Sequence, residues 1–371
     1  MALEKLRRLK GRGFNRLGRL FPRFLLKAHT EIPLQVDIEL TNSCNLHCKM
    51  CWFHGENGIG DRYKDCELAT SEVFSVVDQL AEHTGTIYIG GAEPLMRRDF
   101  MSILRHMKSR NMSVSFATNG TLLDYGKIET LVELGVDGVF FSIDGNEAVH
   151  DQIRGKGIFR KVTRSVKELS EHRQKAVAIK PVITVNITLT SSLVGHLKDA
   201  VNEIRASTDD GPDFYRLHHL WYITENELSR HQAVVRQKIG CGAPGAASHT
   251  VPASLIRDPR SLADEISSLK NWPKVRSFPN LRHADILTYY SEVPNTGQRC
   301  IAPFFAAVIK PNGDVRFCPD EWIDDYTLGN LRNDSFHNIW NNEKAYRFRS
   351  SLLREKSFTG CRRCVWMYSH R

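Results

Sequence analysis

The chain has 371 residues, 41% of them apolar, which is enough for a sizeable core within two or three structural units. No run comes near the roughly 18 apolar residues that indicate a membrane-spanning helix. Nine cysteines are too few for a disulfide scaffold in a chain of this length, and seven of them have metal-ligand spacings. We therefore expect the protein to be located in the reducing cytoplasm. Residues 1–30 hold nine lysines and arginines against Glu4 alone, so the rest of the chain has a net charge of only +1. The basic net charge therefore does not indicate that the main domain binds nucleic acid.

The N-terminal segment, residues 1–33, is basic and amphipathic. Its leucines and phenylalanines recur three or four positions apart, which predicts one or two helices with a break near Gly11 and Gly13. Arginines interrupt the apolar residues throughout, unlike in a secretory signal. Three interpretations stay open: a helix packed outside the main domain, a peripheral contact of residues 1–30 with the membrane surface, or contact with a partner macromolecule.

From residue 34 the hydrophobic pattern alternates between strands and helices. The predicted strands are 34–40, 86–89, 113–117, 138–143, 181–189 and 214–221. The predicted helices are 70–83, 99–109, 122–134, 160–172 and 191–205. Six such repeats predict a parallel sheet with helices outside, and an open partial (β/α)6 barrel over residues 34–224 fits them. Functional groups of such folds gather at the carboxyl ends of the strands.

The first strand leads into three cysteines, Cys44, Cys48 and Cys51, spaced four and three residues apart. Thiolates this close together usually converge on one metal centre. Structural zinc takes four ligands, usually in two separated pairs, and ferredoxin runs supply a fourth cysteine nearby, so neither pattern fits. Three thiolates on a four-iron cluster leave one iron open to a small molecule.

This CxxxCxxC pattern directly after an apolar strand resembles the signature of the radical S-adenosylmethionine (radical SAM) superfamily. The resemblance implies a TIM-like partial barrel and a 4Fe–4S cluster on the three cysteines whose open iron chelates SAM. It also implies reductive cleavage of SAM to a 5′-deoxyadenosyl radical, which abstracts a hydrogen from the substrate. An electron donor such as flavodoxin or ferredoxin is then expected.

The segment Gly90-Gly91-Ala92-Glu93-Pro94 is similar to the glycine-rich GGEP-type motif of the same family, with Ala92 as a departure. Glycines after a strand let the backbone approach a ligand closely. A carboxylate there can accept hydrogen bonds from the SAM ammonium group. We therefore expect Gly90, Gly91 and Glu93 to contact SAM.

The SIDG segment at 142–145 and the HDQIRG segment at 150–155 resemble a pattern of one large branch of the superfamily. The resemblance implies that Ser142 and Arg154 lie near SAM and that Asp144 lies near SAM or substrate. Met50, Asn119 and Asn186 are further candidate SAM contacts. The alternatives are that Asn119 only belongs to a turn and that Asn186 only satisfies core backbone groups.

Residues 225–295 lose the alternation, and we expect a bridging segment with helices around 225–238 and 260–270. His218 and His219 end the sixth strand, and with Asp144 they are the candidate catalytic residues, although satisfied core or surface histidines are the alternative. Cys66 and Cys241 stand outside the cysteine clusters, either as inert side chains or as redox or ligand residues.

The C-terminal part, residues 296–371, carries a second cysteine set: Cys300, Cys318, Cys361 and Cys364. A predicted strand at 304–309, an Asn-Gly turn and a return strand at 315–318 form a hairpin, and a helix follows around 335–349. Four closed thiolates also suit zinc. The spacing resembles the SPASM domain or its shorter twitch form, which implies an auxiliary 4Fe–4S cluster. No cysteine follows Cys364, so a single auxiliary cluster is expected.

An auxiliary cluster with four protein ligands favours electron transfer and hence a net oxidation. Only about 33 residues precede the barrel, too few for a leader-peptide-binding module, which favours a small-molecule substrate over a peptide. A peptide- or protein-modifying maturase is the first alternative. An iron–sulfur redox or scaffold protein without catalysis is the second.

Overall fold

The structure, a computed structural model, describes residues 33–60, 62–82, 84–251, 258–291 and 299–368. The predicted amphipathic segment at residues 1–30 lies outside the described residues. None of the helices within the described ranges is long and apolar enough to cross a membrane.

One ten-stranded sheet, in the order β10-β9-β8-β1-β2-β3-β4-β5-β6-β7, organises the fold. Strands β1 to β7 are parallel neighbours in chain order, as a partial barrel requires. The strands are β1 Gln35–Glu39, β2 Thr86–Gly90, β3 Ser113–Thr118, β4 Gly138–Ser142, β5 Val182–Leu189, β6 Phe214–His219, β7 Val275–Phe278, β8 Ala306–Ile309, β9 Asp314–Arg316 and β10 Gly329–Asn330.

The helices cover the outer face of the sheet and continue into the C-terminal part. They are α1 Thr70–Ala81, α2 Phe100–Ser109, α3 Tyr125–Glu133, α4 Glu147–Arg154, α5 Ile158–Lys175, α6 Leu197–Ser207, α7 Glu225–Ile239, α8 Pro259–Leu269, α9 His283–Ser291, α10 Phe336–Asn341 and α11 Glu343–Glu355. In α1 the buried residues Val73, Val76, Val77 and Leu80 recur every three or four positions, so one apolar stripe packs on the sheet.

The alternation along each strand separates an apolar outer face from a polar inner face. Val36 and Ile38 of β1 are buried in the main hydrophobic cluster, beneath the helices. Asp37 of β1, Tyr88 of β2 and Arg216 of β6 instead line a cavity inside the barrel. The barrel interior is therefore an open chamber that combines a few polar side chains with aromatic walls, rather than a fully packed core.

The expected partial barrel with a C-terminal hairpin and helices is confirmed, with three local differences. The bridging segment adds a seventh parallel strand, β7, whose Arg276 pairs in register with Arg216. The predicted helix at 335–349 is two helices, because Asn342 ends α10 and caps α11 through its side chain. Helices α4 and α9 are elements that the hydrophobic pattern did not predict.

The C-terminal domain is joined to the barrel through sheet pairing and a buried charge cluster. Strand β8 pairs parallel with β1, with Ile309 opposite Ile38. Lys310, the residue after β8, pairs with both Glu39 at the end of β1 and Glu321. Arg316 of β9 also pairs with Glu321, at 2.8 Å. All four side chains are nearly inaccessible to solvent, so these charges compensate one another at the junction.

Candidate active site

The loop after β1 places Cys44, Cys48 and Cys51 at the carboxyl end of the sheet. Their sulfurs face hydrogen-bond donors: the Leu46 N–H lies 3.4 Å from Cys44 Sγ, and the Phe53 N–H lies 3.4 Å from Cys51 Sγ. Burial raises the pKa of the Cys44 thiol to about 11, so the free thiol is neutral and metal binding must displace its proton. N–H donors aimed at sulfur are what an anionic thiolate-bound cluster requires.

The spacing of these thiols can be compared with a single-ion site. Across the described ranges, no three His, Cys, Asp or Glu side chains are placed to hold one metal ion. Tetrahedral zinc with Zn–S bonds of about 2.3 Å would hold its sulfurs about 4 Å apart. A four-iron cluster is larger than one ion and holds its thiolates further apart, so a cluster does not require the close grouping that a single ion needs.

Glu93 is buried beside this loop, where β2 ends. Its carboxylate accepts hydrogen bonds from the Asn119 backbone N–H at 2.7 Å, the Thr118 hydroxyl at 2.9 Å and the Leu95 N–H at 3.2 Å. Burial, partly offset by these donors, raises its pKa to about 7. The carboxylate lines a cavity of about 280 Å³ that also contains the three cysteines, which is where a cationic group of SAM could pair with it.

Gly91 shows why the segment before Glu93 contains glycine. Its φ of +92° lies in the left-handed region, and a Cβ there would come within 3.1 Å of Glu39. Gly90 and Gly91 both line the same cavity, where the lack of a side chain leaves their backbone open to a ligand.

Asp144 and Arg154 form an ion pair beside the cysteine loop, in which the carboxylate is fully buried. Arg154 Nε donates to Asp144 Oδ2 at 2.5 Å, and its Nη1 lies 3.6 Å from Cys48 Sγ. The other oxygen, Asp144 Oδ1, accepts from the Thr188 N–H at 2.9 Å. Because both oxygens are engaged and Arg154, not Asp144, lines the cavity, we propose a positioning role for Asp144 instead of a catalytic one.

The remaining predicted SAM contacts, Met50, Asn119, Ser142 and Asn186, all line the 280 Å³ cavity. Asn119 is more than a turn residue, because its Nδ2 donates to Asn45 Oδ1 at 2.9 Å and lies 3.9 Å from Cys44 Sγ. Asn186 Oδ1 accepts from Arg216 Nε at 2.7 Å, so this amide is held by a side chain rather than by core backbone.

The two histidines of β6 point to opposite faces of the sheet. His218 lines the interior cavity, while His219 is fully buried in the outer layer. His219 is held between the Tyr290 hydroxyl at 2.9 Å and the Ser277 hydroxyl at 3.2 Å, and burial lowers its pKa to about 3. We therefore propose that only His218 faces a ligand and that His219 is structural.

A second, larger cavity of about 880 Å³ continues from the first into the barrel. Residues shared by both cavities are Asp37, Tyr88, Arg216, His218, Trp221 and Trp366. Of these, only His218 was singled out from the sequence. Asp37 and Arg216 could have been identified from the sequence, because each is a polar residue that interrupts an apolar strand at an inward-facing position. The sequence could not show whether that face met solvent or a chamber.

The C-terminal cysteines come together below the hairpin. Burial raises the pKa of the Cys318 thiol well above its usual range, and the neighbouring Cys361, Cys300 and Cys364 raise it further. The Cys300 N–H donates to the Lys356 carbonyl at 2.8 Å, which ties the first of the four to the end of α11. The four thiols therefore share one environment, as a closed auxiliary cluster site requires.

The other two cysteines differ in position. Cys66 is exposed and donates to the Tyr63 carbonyl at 3.4 Å, away from both sets. Cys241 is half-buried and adds to the charges that raise the pKa of the Cys318 thiol, so it neighbours the auxiliary set. An aromatic series also links the two cysteine regions: Trp52 contacts His249 at 5.2 Å between ring centroids, and His249 stacks on Trp322 at 4.3 Å.

Comparison with known proteins agrees with this arrangement. The radical SAM superfamily model matches residues 38–191, and the model of the SPASM iron–sulfur cluster-binding domain matches residues 300–365. The tungsten-containing aldehyde ferredoxin oxidoreductase cofactor-modifying protein of Pyrococcus furiosus is 34% identical over 156 residues, which are 41% of this chain and 43% of that protein. The mycofactocin maturase MftC of Mycolicibacterium smegmatis is 26% identical over 344 residues, 90% of this chain and 76% of that protein.

Among solved structures, Streptococcus suis SuiB bound to S-adenosylmethionine has a TM-score of 0.59 at 14% identity, covering 85% of this chain and 67% of SuiB. SuiB has also been crystallised with its precursor peptide SuiA. The likeness supports the same fold: a parallel partial barrel followed by a C-terminal domain.

Proposed function

The chain belongs to the radical SAM superfamily, in the branch with a SPASM domain, and on that premise we propose that it catalyses a net oxidation of a small organic molecule held in the barrel chamber. Its radical SAM domain binds a 4Fe–4S cluster and SAM, and its SPASM domain binds an auxiliary 4Fe–4S cluster. When bound, these groups supply radical chemistry in which the substrate loses a hydrogen atom, an electron and a proton.

The observation that carries the proposal is the continuity of the two cavities. The smaller cavity contains the three N-terminal cysteines and Glu93, and the larger one contains no cysteine. A ligand in the larger cavity therefore lies next to SAM without displacing it. Its volume of about 880 Å³ falls in the range of cofactor-sized and drug-sized ligand sites.

The chain's own residues have defined parts in this proposal. Cys44, Cys48 and Cys51 would hold the first cluster, and Cys300, Cys318, Cys361 and Cys364 the auxiliary one. Glu93 would accept hydrogen bonds from the SAM ammonium group, and Arg154 would bind an anionic group beside Cys48. Trp221 and Trp366 line both cavities and would shield the reacting carbon from water when a substrate is bound.

The aromatic series from Trp52 to Trp322 supports electron exchange between the cysteine regions. Trp52 follows Cys51 directly, and the ring of Trp322 lies 2.7 Å from the position that a Cβ on Gly360 would take. Gly360 precedes Cys361, so the ring contacts run from the residue after Cys51 to a ring that packs against the residue before Cys361.

A peptide substrate is the second candidate, and the comparisons favour it. The similarity to a mycofactocin maturase extends over 90% of the chain, and SuiB binds a precursor peptide. The open chamber could admit one or two residues of a peptide as well as a small molecule. An iron–sulfur scaffold without catalysis is less well supported, because Glu93, Arg154 and the cavity lining would have no use in it.

Anaerobic reaction of the reconstituted chain with SAM and dithionite tests these candidates. Release of 5′-deoxyadenosine is measured alone and after adding the low-molecular-mass fraction or the peptide fraction of an extract of the source cells. Stimulation by the low-molecular-mass fraction that survives protease treatment supports the small-molecule proposal. Stimulation that protease abolishes favours the maturase, and no SAM cleavage beside a competent control enzyme contradicts both.

A further inference from the structure

Arg216 lies in the middle of β6 and projects into the barrel chamber. Its Nε donates to Asn186 Oδ1 at 2.7 Å. The guanidinium lies between two aromatic rings, 4.9 Å from the centroid of Phe140 and 4.6 Å from that of Phe278. These contacts fix the orientation of the side chain while leaving its two terminal nitrogens for another partner.

Asp37 lines the same two cavities as Arg216, but within the described ranges no carboxylate lies within ion-pair distance of the Arg216 guanidinium. Its guanidinium donates to the neutral amide of Asn186, and the hydroxyl of Tyr88 is near enough to act on its charge. By contrast, buried Arg154 pairs with Asp144, and buried Lys310 pairs with Glu39 and Glu321. A half-buried cation held in a cavity wall without an anion is unfavourable, so we expect an anionic partner from outside the chain.

The surroundings of Arg216 indicate where that partner enters. Arg216 lines both the 280 Å³ cavity and the 880 Å³ cavity, at the boundary between them. Aromatic residues Tyr88, Phe140, Trp221 and Phe278 surround it in the larger cavity. The site thus combines a forked cation with flat apolar walls, which suits an organic molecule that carries a planar or tetrahedral oxyanion.

We propose that Arg216 binds a carboxylate or phosphate group of the substrate through its terminal guanidinium nitrogens and so fixes which substrate carbon faces the SAM site. The inference rests on the proposed function, because it assigns the substrate to the chamber beside SAM. It restricts the substrate to an anionic molecule, or to the anionic side chain or terminus of a peptide.

The anionic group of SAM itself is the competing partner for Arg216. Arg154 already stands beside Cys48 for that purpose, at 3.6 Å from its sulfur. Arg216 is held instead by residues of the chamber wall, and Phe278, one of the two rings that hold it, lines only the larger cavity. We therefore assign the two arginines to two different anions.

The test uses the reconstituted, cluster-loaded chain with saturating SAM under anaerobic conditions and measures ligand binding by titration calorimetry. The probes are benzoate, phenyl phosphate and the neutral analogue benzamide. We expect benzoate or phenyl phosphate to bind to the wild type, and Arg216→Met to weaken that binding about 10- to 100-fold, as expected for charge-assisted hydrogen bonds. The stronger of the two anions identifies the group that the substrate carries.

Arg276→Met is the matched control. Arg276 is the register partner of Arg216 on β7 and lines the larger cavity, but it is exposed and its Nη1 donates to the Val275 carbonyl at 2.7 Å. If the anionic probes bound only through the general positive charge of the cavity, Arg216→Met and Arg276→Met would weaken binding equally. We expect Arg276→Met to change the affinity less than about twofold.

Arg216→Lys provides a second variant that keeps the charge and removes the fork, and we expect it to lose part of the affinity. The proposal is overturned if Arg216→Met binds the anions as the wild type does, if neither anion binds more tightly than benzamide, or if Arg216→Met loses SAM affinity instead. Anion binding is measured without turnover, so an Arg216-dependent site in a chain that does not cleave SAM would contradict only the proposed function.

Discussion

Arg154 is held 2.5 Å from the buried carboxylate of Asp144, and this contact aims its guanidinium at the sulfur of Cys48. Replacing the carboxylate with an amide in Asp144→Asn removes the charge that holds the arginine. We expect the dissociation constant of SAM to rise about tenfold, equivalent to about 1.4 kcal/mol, with the anaerobic titration of SAM as the measurement.

Asp213→Asn is the control for that prediction. It removes the partner of buried Arg173, which lies 2.5 Å away in a similar pair before β6, away from the cysteines. We expect Asp213→Asn to lower thermal stability and leave SAM affinity unchanged. Equal SAM affinity in the wild type and Asp144→Asn would refute the positioning role of Asp144.

We expect Asp37 to make the stability of the fold depend on pH. Burial raises its pKa from 3.8 to about 7, with Gln35 donating to it at 2.5 Å. Between about pH 4 and pH 7 the folded chain therefore binds more protons at this site than the unfolded chain, so stability falls as the pH rises and levels off above pH 7. The contribution is at most about 4 kcal/mol.

Asp37→Asn should remove the part of this decline that Asp37 causes and leave the part due to Glu93, whose pKa burial also raises to about 7, and urea unfolding at several pH values measures the difference. The variant should gain stability over the wild type at pH 8 and show little difference at pH 4. Asp199→Asn, at an exposed position of α6, should leave the pH profile of the wild type unchanged. A profile for Asp37→Asn that parallels the wild type would show that other groups cause the decline.

Lys310 connects the barrel with the C-terminal domain by pairing with Glu39 and Glu321. Lys310→Met leaves Glu39 buried without its cation, and we expect a loss of about 3–5 kcal/mol in the free energy of unfolding. Arg347→Met breaks an exposed pair with Glu343 at 2.8 Å, and it should cost less than about 0.5 kcal/mol. Similar losses in the two variants would argue against a structural role for the buried cluster.

Gly120 follows Asn119 in the turn after β3, with a φ of +75°. A Cβ there would lie 2.8 Å from Val162 Cγ2 and 3.0 Å from Phe141 Cδ1. We expect Gly120→Ala to destabilise the fold by about 2–4 kcal/mol, because it adds a steric clash to the left-handed backbone. Thermal unfolding measures this change.

Gly135→Ala separates the two contributions. Gly135 has a φ of +58°, but a Cβ there would meet nothing within 4 Å. We therefore expect Gly135→Ala to lower the free energy of unfolding by about 1 kcal/mol, the cost of the left-handed backbone alone. If both variants were equally stable, the packing around Gly120 would not be as tight as the structure indicates.

Much of this architecture could be predicted from local patterns. The runs around Val36, Val114 and Ile187 predict buried strands because apolar β-branched residues cover the outer face of each one. Strand β7 was missed because Val275–Phe278 is short and half polar, so only its pairing with β6 defines it. The opposed directions of His218 and His219 follow from strand periodicity and could have been predicted.

The candidate site likewise has some features that the local sequence shows and others that only the structure shows. The cysteine spacings and the Gly90–Glu93 segment are local, so the sequence shows them. The proposed role of Asp144 depends on its contacts with Thr188 and Arg154, and the charge of Arg216 depends on which of the described side chains reach it in three dimensions. Long-range relationships of this kind have no signature in a single sequence.

The most direct test of the account is the iron and sulfide content of the anaerobically reconstituted chain, measured with release of 5′-deoxyadenosine after SAM and dithionite are added. We predict about eight irons in the wild type and about four in each of two variants, Cys44→Ala/Cys48→Ala/Cys51→Ala and Cys361→Ala/Cys364→Ala. Only the first variant should lose SAM cleavage completely. About four irons in the wild type with SAM still cleaved would contradict the auxiliary cluster, and eight irons without SAM cleavage would contradict the enzyme.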